Sequence, residues 1–550
     1  MIEKVLGYVR KTPITITGWG LSFIGILFIR FFFESISSPT SSGIIPSDPY
    51  TLIHYGLFFL LLTLVSSLIV GYFTKDYAEA PKILLFGLPL LWLAPFIDII
   101  LSHGRGYKML YLFDTGNKLI FDFLTFFGRS LTYGATYGMR IGIGIAILGL
   151  GYYIWLQSKN VLRGILGVLS LYLIIFIIGS LPGVFYTLAH LNNSVSTQPE
   201  VVNYFEKIIT QSTIAHNTLH DGIASVSRAR FIELGFDKLL SQILFIISCI
   251  FGTLLFWKID QKRFLAVVGN CRRERLTFYT ISLLCGMAFA YINNLGDSFV
   301  FIDLFGVLCL VIAWAGLWMH AVHTNDIIDI EIDKISNKNR PLVKKELDEK
   351  NMTDIGNLWL AIALLGAWSA GFYPFFMALV YVAASYIYSS PPLRLRQMPL
   401  VPSFIIATAC LSTILAGFFF ISVNKNIQTF PVFLALGIVI MVTLAINFKD
   451  IKDIEGDKAN GIVTLPILFG ENGVKIVGLC FALSILFVPF FLSFYILYII
   501  SIPCAFIGYR LVTKKPYKEK PIFILRFVFL AGIALFYLII YYLAHIYNLV

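Results

Sequence analysis

NDIIDIEIDKISNKNRPL, Asn325 to Leu342, follows the apolar run FVFIDLFGVLCLVIAWAGLWMHAVH, with Thr324 between them. Asp326, Asp329, Glu331 and Asp333 place four carboxylates within eight residues at the end of what reads as a membrane span. One charge at the bilayer centre costs on the order of 3 kcal/mol. Four such groups would cancel the insertion energy of the helix before them. They belong at a membrane face or in a wet cavity, where something must use them.

A second stretch repeats the pattern. NFKDIKDIEGDKANGIVTLPILFG runs from Asn447 to Gly470. DIKDIEGDK carries Asp450, Asp453, Glu455 and Asp457 at the same offsets as the acids of DIIDIEIDK, and a lysine closes each set, Lys334 and Lys458. At 100° per residue, offsets 0, 3 and 7 fall within about 60° on a helix. Asp326, Asp329 and Asp333 are therefore expected to form one acidic stripe beside Asn325, and Asp450, Asp453 and Asp457 a second. Two dry, unpaired stripes would repel each other. A hard divalent cation relieves this: magnesium takes one or two carboxylates and completes its shell with water and phosphate oxygens. Paired acidic stripes flanked by basic residues suggest a Mg²⁺-held diphosphate.

Composition sets the frame. The 550 residues are 58% hydrophobic and 13% charged, and mean hydropathy is +0.82. Soluble domains carry about 25% charged residues. Apolar runs near the ~20 residues that span a bilayer recur throughout. They fall near 14–33, 54–73, 83–101, 138–157, 164–188 and 237–256, then near 276–293, 302–322, 355–371, 374–390, 402–421, 430–447, 474–490, 492–512 and 523–546. The expectation is an all-α polytopic membrane protein with about 15 transmembrane helices. Six lie in an N-terminal domain, 1–257, and nine in a second domain, 258–550, beyond the basic connector WKIDQKRFLAVVGNCRRERL. The run after MIEKVLGYVRKTP is long for a signal peptide and reads as an uncleaved first helix.

The net charge of +11 reflects loop asymmetry rather than a nucleic-acid footprint. In the second half, Lys and Arg gather in the connector, in 334–350, at Arg394 and Arg396, in 449–458 and in 514–520, while the opposite loops offer Lys425. The positive-inside rule puts the basic loops, the N-terminus and both acidic motifs on the cytoplasmic side. The seven cysteines include no C-x-x-C and read as small core hydrophobes. His216, His220 and Asp221 have metal-ligand spacing on a helix, but a solvated polar loop is the simpler reading. Asn192 opens a glycosylation-type N-x-S/T match. The 102–137 segment, with LIFDFLTFFG, is expected to lie in the interface or re-enter.

The motifs together resemble the UbiA superfamily of intramembrane prenyltransferases. The first is Asn325, Asp326, Asp329 and Asp333 followed by Arg340-Pro341-Leu342. The second is Asp450, Asp453, Gly456 and Asp457 followed by Gly461, Thr464-Leu465-Pro466 and Gly470. Between them, YSSPPLRLR, Tyr388 to Arg396, is similar to the family's middle cytoplasmic loop. Arg396 stands where the family usually has Lys, Val343-Lys344-Lys345 replaces a Ser-Gly turn, and Leu444 to Asn447 lacks the Arg or Asp common there. The resemblance covers about residues 265–550 and implies that the last nine helices form a UbiA-type bundle. It implies transfer of a prenyl group from a polyprenyl diphosphate to a lipid or aromatic acceptor. Mg²⁺, as two ions bridging the diphosphate, would be held by Asn325, Asp329, Asp453 and Asp457. Asp326, Asp333 and Asp450 would bind or orient, and Tyr388 would face the allylic cation. Lys334, Arg340, Arg394, Arg396 and Lys449 are the implied diphosphate contacts. Two other readings share the acids: a transporter or cation-binding permease, which predicts acids near the midplane, and a terpene cyclase of the same superfamily that needs no acceptor.

Overall fold

The computed structural model describes residues 2–37, 49–104, 106–107, 109–128, 136–190, 198–219, 227–293, 295–296 and 299–546. Asn192, His220 and Asp221 lie outside these residues. Among the described residues the regular structure is helical, with one isolated bridge between Gly296 and Ser422. Thirteen helices are long and apolar enough to cross a membrane. The remaining two expected spans fall on the helices Glu349–Ala370 and Glu519–Ile546. The chain is an all-α, integral, multi-pass membrane protein.

It divides into two compact units, residues 1–264 with 298–309, and 265–297 with 310–550. In the first unit, Pro49–Thr74 packs along Arg228–Ile259, and Tyr137–Ser158 packs along Val161–Gly179. Within 102–137 the described residues include one short helix, Gly116–Leu124, of amphipathic sequence. The buried Asp237 of this unit finds partners, as a low-dielectric interior demands. Asp237 accepts from Thr51 Oγ1 at 2.6 Å and pairs with His54 Nδ1 at 2.8 Å.

In the second unit the helix Val401–Ile421 is the central column, with fifteen buried residues. It crosses Arg273–Ile292 at a reciprocal glycine contact. A Cβ on Gly286 would meet the Ile414 carbonyl oxygen at 1.9 Å, and one on Gly417 would meet that of Leu283 at 2.0 Å. Small residues let membrane helices approach at backbone distance. A further core joins Phe448, Phe481 and Phe523 in edge-on ring contacts. That core fixes the second acidic motif, because Phe448 immediately precedes Lys449 and Asp450.

Candidate active site

The span carrying the first motif ends at Ile328, and a short helix, Ile330–Ser336, follows. Asp329 sits between them at φ −97°, ψ 16°. The second motif is built alike: a 3₁₀ turn, Ile446–Asp450, then Asp453 at φ −98°, ψ 4°, then Ile454–Ala459. The single continuous stripe expected from helical periodicity is thus broken at the middle acid of each motif. Asp is a poor helix-interior residue, and β-branched residues crowd the first break; neither Asp329 nor Asp453 caps the following helix with its side chain. The backbone bonds Asp329 N–H to Asn325 and Asp333 N–H to Asp329, each 2.9 Å, keep the pieces in register.

The two short helices pack on each other, and Gly456 permits it. A Cβ there would stand 2.3 Å from Ser336 Oγ and 3.2 Å from Ile332 Cγ2. Across this contact Asn337 Nδ2 donates to Asp333 at 2.8 Å and to Asp453 at 3.2 Å, joining the motifs. Arg396 joins them again: its guanidinium grips Asp329 and reaches Asp457 at 3.4 Å. Arg394 adds a contact to Asp329 at 3.3 Å. Arg394 adopts φ 40°, a left-handed turn that costs a non-glycine residue energy, and the same loop carries both arginines to the acids.

Asp326 is fully covered. It pairs with Arg272 and accepts from Asn270 Nδ2 at 2.8 Å. Arg340 lies 4.0 Å from Asp326 and 3.8 Å from Asp333. Lys449 Nζ donates to Asp450 at 2.9 Å and to the Tyr388 hydroxyl at 3.0 Å. Asn325 Oδ1 accepts from Ser389 Oγ at 3.1 Å. Lys334 stands apart: it is exposed and pairs with Glu331 at 2.6 Å, away from the cleft.

Beside these groups lies a cleft of about 150 Å³, whose lining does not include Asp326, Asp457, Arg394 or Lys334. Asp329, Asp333, Asp450 and Asp453 line it together with Arg272, Arg275, Arg340, Arg396, Lys449 and Lys452. Its deeper wall is apolar and aromatic. Tyr279, Trp318 and Tyr381 lie there, with Tyr279 5.5 Å from Trp318 and 5.3 Å from Tyr381 between ring centroids. One end suits a polyanion and the other a hydrocarbon chain.

Burial pushes the Asp457 carboxyl up to about 6; Arg396 opposes this, and Asp450 and Asp453 reinforce it. Asp333 is also raised, by burial and by Asp326. Burial lowers Arg272 to about 10 despite Asp326. Burial would raise Glu519, yet Arg275 at 2.9 Å and Lys452 at 3.3 Å hold it below the usual range. Among the described residues no three His, Cys, Asp or Glu groups stand close enough to share a metal ion. The guanidinium of Arg396 spans Asp329 and Asp457, where a cation between the motifs would sit. The donors facing it are hard oxygens, a set that suits Mg²⁺.

Asn270, Arg272, Arg275, Asn337 and Lys452 were not singled out by motif reading. The basic ones looked like ordinary positive-inside residues. Asn337 had one available signal, its place between the first acids and Arg340.

Residues 279–533 match the model of the UbiA prenyltransferase family. Digeranylgeranylglyceryl phosphate synthase of Sulfolobus acidocaldarius is 33% identical over 32% of this chain and 64% of its own length. Naringenin 8-dimethylallyltransferase 2 of Sophora flavescens is 32% identical over 31% and 44%. Chlorophyll synthase of Arabidopsis thaliana is 30% identical over 31% and 45%. The chain therefore spans about half to just under two thirds of these relatives. A UbiA homologue from Archaeoglobus fulgidus, solved with GPP and Mg²⁺, aligns with 49% of this chain and 97% of its own, at 16% identity and a TM-score of 0.40. The likeness to the UbiA family thus falls on the C-terminal half of the chain.

Proposed function

We propose that residues 258–550 form a Mg²⁺-dependent prenyltransferase domain. It moves a prenyl group from a polyprenyl diphosphate to a lipid or aromatic acceptor at the cytoplasmic membrane face and releases pyrophosphate. The observation that carries this reading is the cleft itself. Two acidic motifs are joined by Arg396 and Asn337 at its mouth, six cationic side chains ring it, and aromatic rings line its depth.

The cations Arg275, Arg340, Arg396, Lys449 and Lys452 bind and orient the diphosphate. Asn325, Asp329, Asp453 and Asp457 would hold Mg²⁺, with Asp326, Asp333 and Asp450 orienting the groups around them. When bound, the metal stabilises negative charge on the departing pyrophosphate. Arg396 and Arg394 then turn from the carboxylates to the diphosphate oxygens. The bond from the prenyl C1 to oxygen breaks with its electron pair on the diphosphate, C1 bonds to the acceptor nucleophile, and the proton the acceptor loses passes to the released pyrophosphate or to water. Tyr388, Tyr279 and Tyr381 present π faces to the allylic cation, and the dry wall keeps water from capturing it. Tyr388 is held in place by Lys449. Residues 1–257 form a separate membrane domain.

Pyrophosphate release by purified full-length protein tests the reading. Geranylgeranyl or farnesyl diphosphate is supplied with Mg²⁺ and a total lipid extract. Asp329→Asn and Asp453→Asn, and EDTA added to the unaltered protein, are each expected to abolish release. Folded protein that releases none with either donor overturns it.

A further inference from the structure

The N-terminal unit encloses a second cavity, of about 450 Å³. That lies within the ~300–1,000 Å³ range of small-molecule sites. Its wall is apolar, with Phe58, Phe59, Leu91, Ile143 and Ala146 among its lining. Arg30 is the one charged residue among the described residues that line it. An arginine inside a membrane domain is costly and marks a functional position by default.

Arg30 is 3% exposed, and its charge is answered by Glu34 one turn along the same helix. Glu34 Oε1 in turn accepts from the Met109 backbone N–H at 2.9 Å. The Arg30 guanidinium lies 5.4 Å from the Phe59 ring centroid. Its Nε–H is buried without a hydrogen-bond partner. An unmet buried donor costs its full desolvation penalty, which an oxygen entering the cavity would offset. Because Glu34 already neutralises Arg30, an anionic head would meet no net positive charge. The matching group is an uncharged acceptor oxygen.

The same wall carries Tyr111. Its hydroxyl lies 2.7 Å from His54 Nε2, and His54 Nδ1 lies 2.8 Å from Asp237. With the proton of a neutral His54 on Nδ1 beside the carboxylate, Nε2 accepts from Tyr111. The tyrosine oxygen is thereby left as an acceptor at the cavity wall. The polar features include one free donor and one acceptor, beside the hydroxyl residues Thr63, Ser66, Tyr152 and Tyr153, and carry no net charge.

We infer that this cavity is a binding site for a neutral long-chain lipid, isoprenoid or acyl, whose uncharged hydroxyl or carbonyl oxygen accepts from Arg30 Nε–H. This inference stands apart from the reading of the C-terminal cleft, and its test reads the N-terminal unit alone. Full-length protein in detergent is photolabelled with a diazirine analogue of geranylgeraniol, and the labelled peptides are mapped. Label is expected on 58–66 and 139–156. Unlabelled geranylgeraniol should displace it at least tenfold better than squalene, which has no oxygen, or geranylgeranyl phosphate, which is anionic. Arg30→Lys, which keeps the charge but loses Nε–H, should weaken labelling about tenfold. Ala146→Trp, which fills the cavity, should abolish it while label in the C-terminal unit persists. Equal displacement by squalene would mean bulk apolar filling only, and better displacement by the phosphate would mean an anionic head. Either result overturns the inference, as does labelling that survives Ala146→Trp. If a variant fails to fold, the displacement series on the unaltered protein decides.

Discussion

Gly456→Ala isolates the contact that brings the two acidic motifs together. The new Cβ would stand 2.3 Å from Ser336 Oγ, where ordinary contact begins at 3.4 Å, a shortfall of about 1.1 Å. Ser336 belongs to the short helix of the first motif, and its rotamers are limited by the preceding turn. Turning the hydroxyl aside still leaves Ile332 Cγ2 at 3.2 Å. The helices must therefore separate, carrying Asp453 and Asp457 away from Asp329 and Asp333. A misplacement of ~1 Å at a reacting centre can cost about 100-fold in rate. Overpacking itself costs only about 1–3 kcal/mol, which the fold should tolerate. The expectation is a 10- to 100-fold loss of Mg²⁺-dependent pyrophosphate release with a small change in melting temperature. Gly456→Ala combined with Ser336→Ala removes the 2.3 Å clash but keeps the 3.2 Å approach to Ile332 Cγ2, and should recover part of the loss. Full activity in the single variant, or no recovery in the double, would refute the reasoning.

Arg396→Lys keeps a charge but cannot fork between Asp329 and Asp457; a rise in KM for the diphosphate of about tenfold is expected in steady-state kinetics, and an unchanged KM would count against the bridge. Arg272→Met strands the buried Asp326 and should destabilise the protein by about 3–5 kcal/mol, read as a lower melting temperature in detergent; a shift under one degree would contradict it. Asp457, raised to about 6, takes up a proton in the metal-free protein as pH falls through that value, and Asp333 is shifted in the same direction. Their charged forms are the disfavoured ones, so metal must displace protons below about pH 6 and need displace few above it. Mg²⁺ affinity by calorimetry should accordingly fall as pH drops from 6 to 5 and level off above 7; a flat profile from 5 to 7 would exclude this competition. Glu519→Gln frees Arg275 and Lys452 for other partners; tighter diphosphate binding, by roughly 2- to 5-fold, is expected from titration, and weaker binding would show that Glu519 positions them.

Much of the site was legible from repeated offsets. Asp326, Asp329, Asp333 and Asp450, Asp453, Asp457 recur at the same spacing because both motifs use the same break after a membrane helix. Arg340 and Arg396 could be placed by their motif positions. Arg272, Arg275 and Lys452 could not be separated from other loop cations. Lys334, equally basic and inside the motif, turns outward to Glu331. No local property of the sequence distinguishes these cases, because each depends on which face of a short helix meets a segment elsewhere in the chain.

Membrane insertion is decided by the transfer free energy of each ~20-residue window, so the sequence by itself determined that this chain is an all-helical, multi-pass membrane protein. The same local logic placed two acidic motifs just past span ends. Tertiary structure alone decided how those acids are paired. Asn337 meets Asp453 across 116 residues, Arg396 meets Asp457 across 61, and Asn270 meets Asp326 across 56. It also left Arg30 with a free donor on the wall of an apolar cavity. Ion pairs and orphaned donors depend on distances through space, and these arise only when segments far apart in the chain pack together.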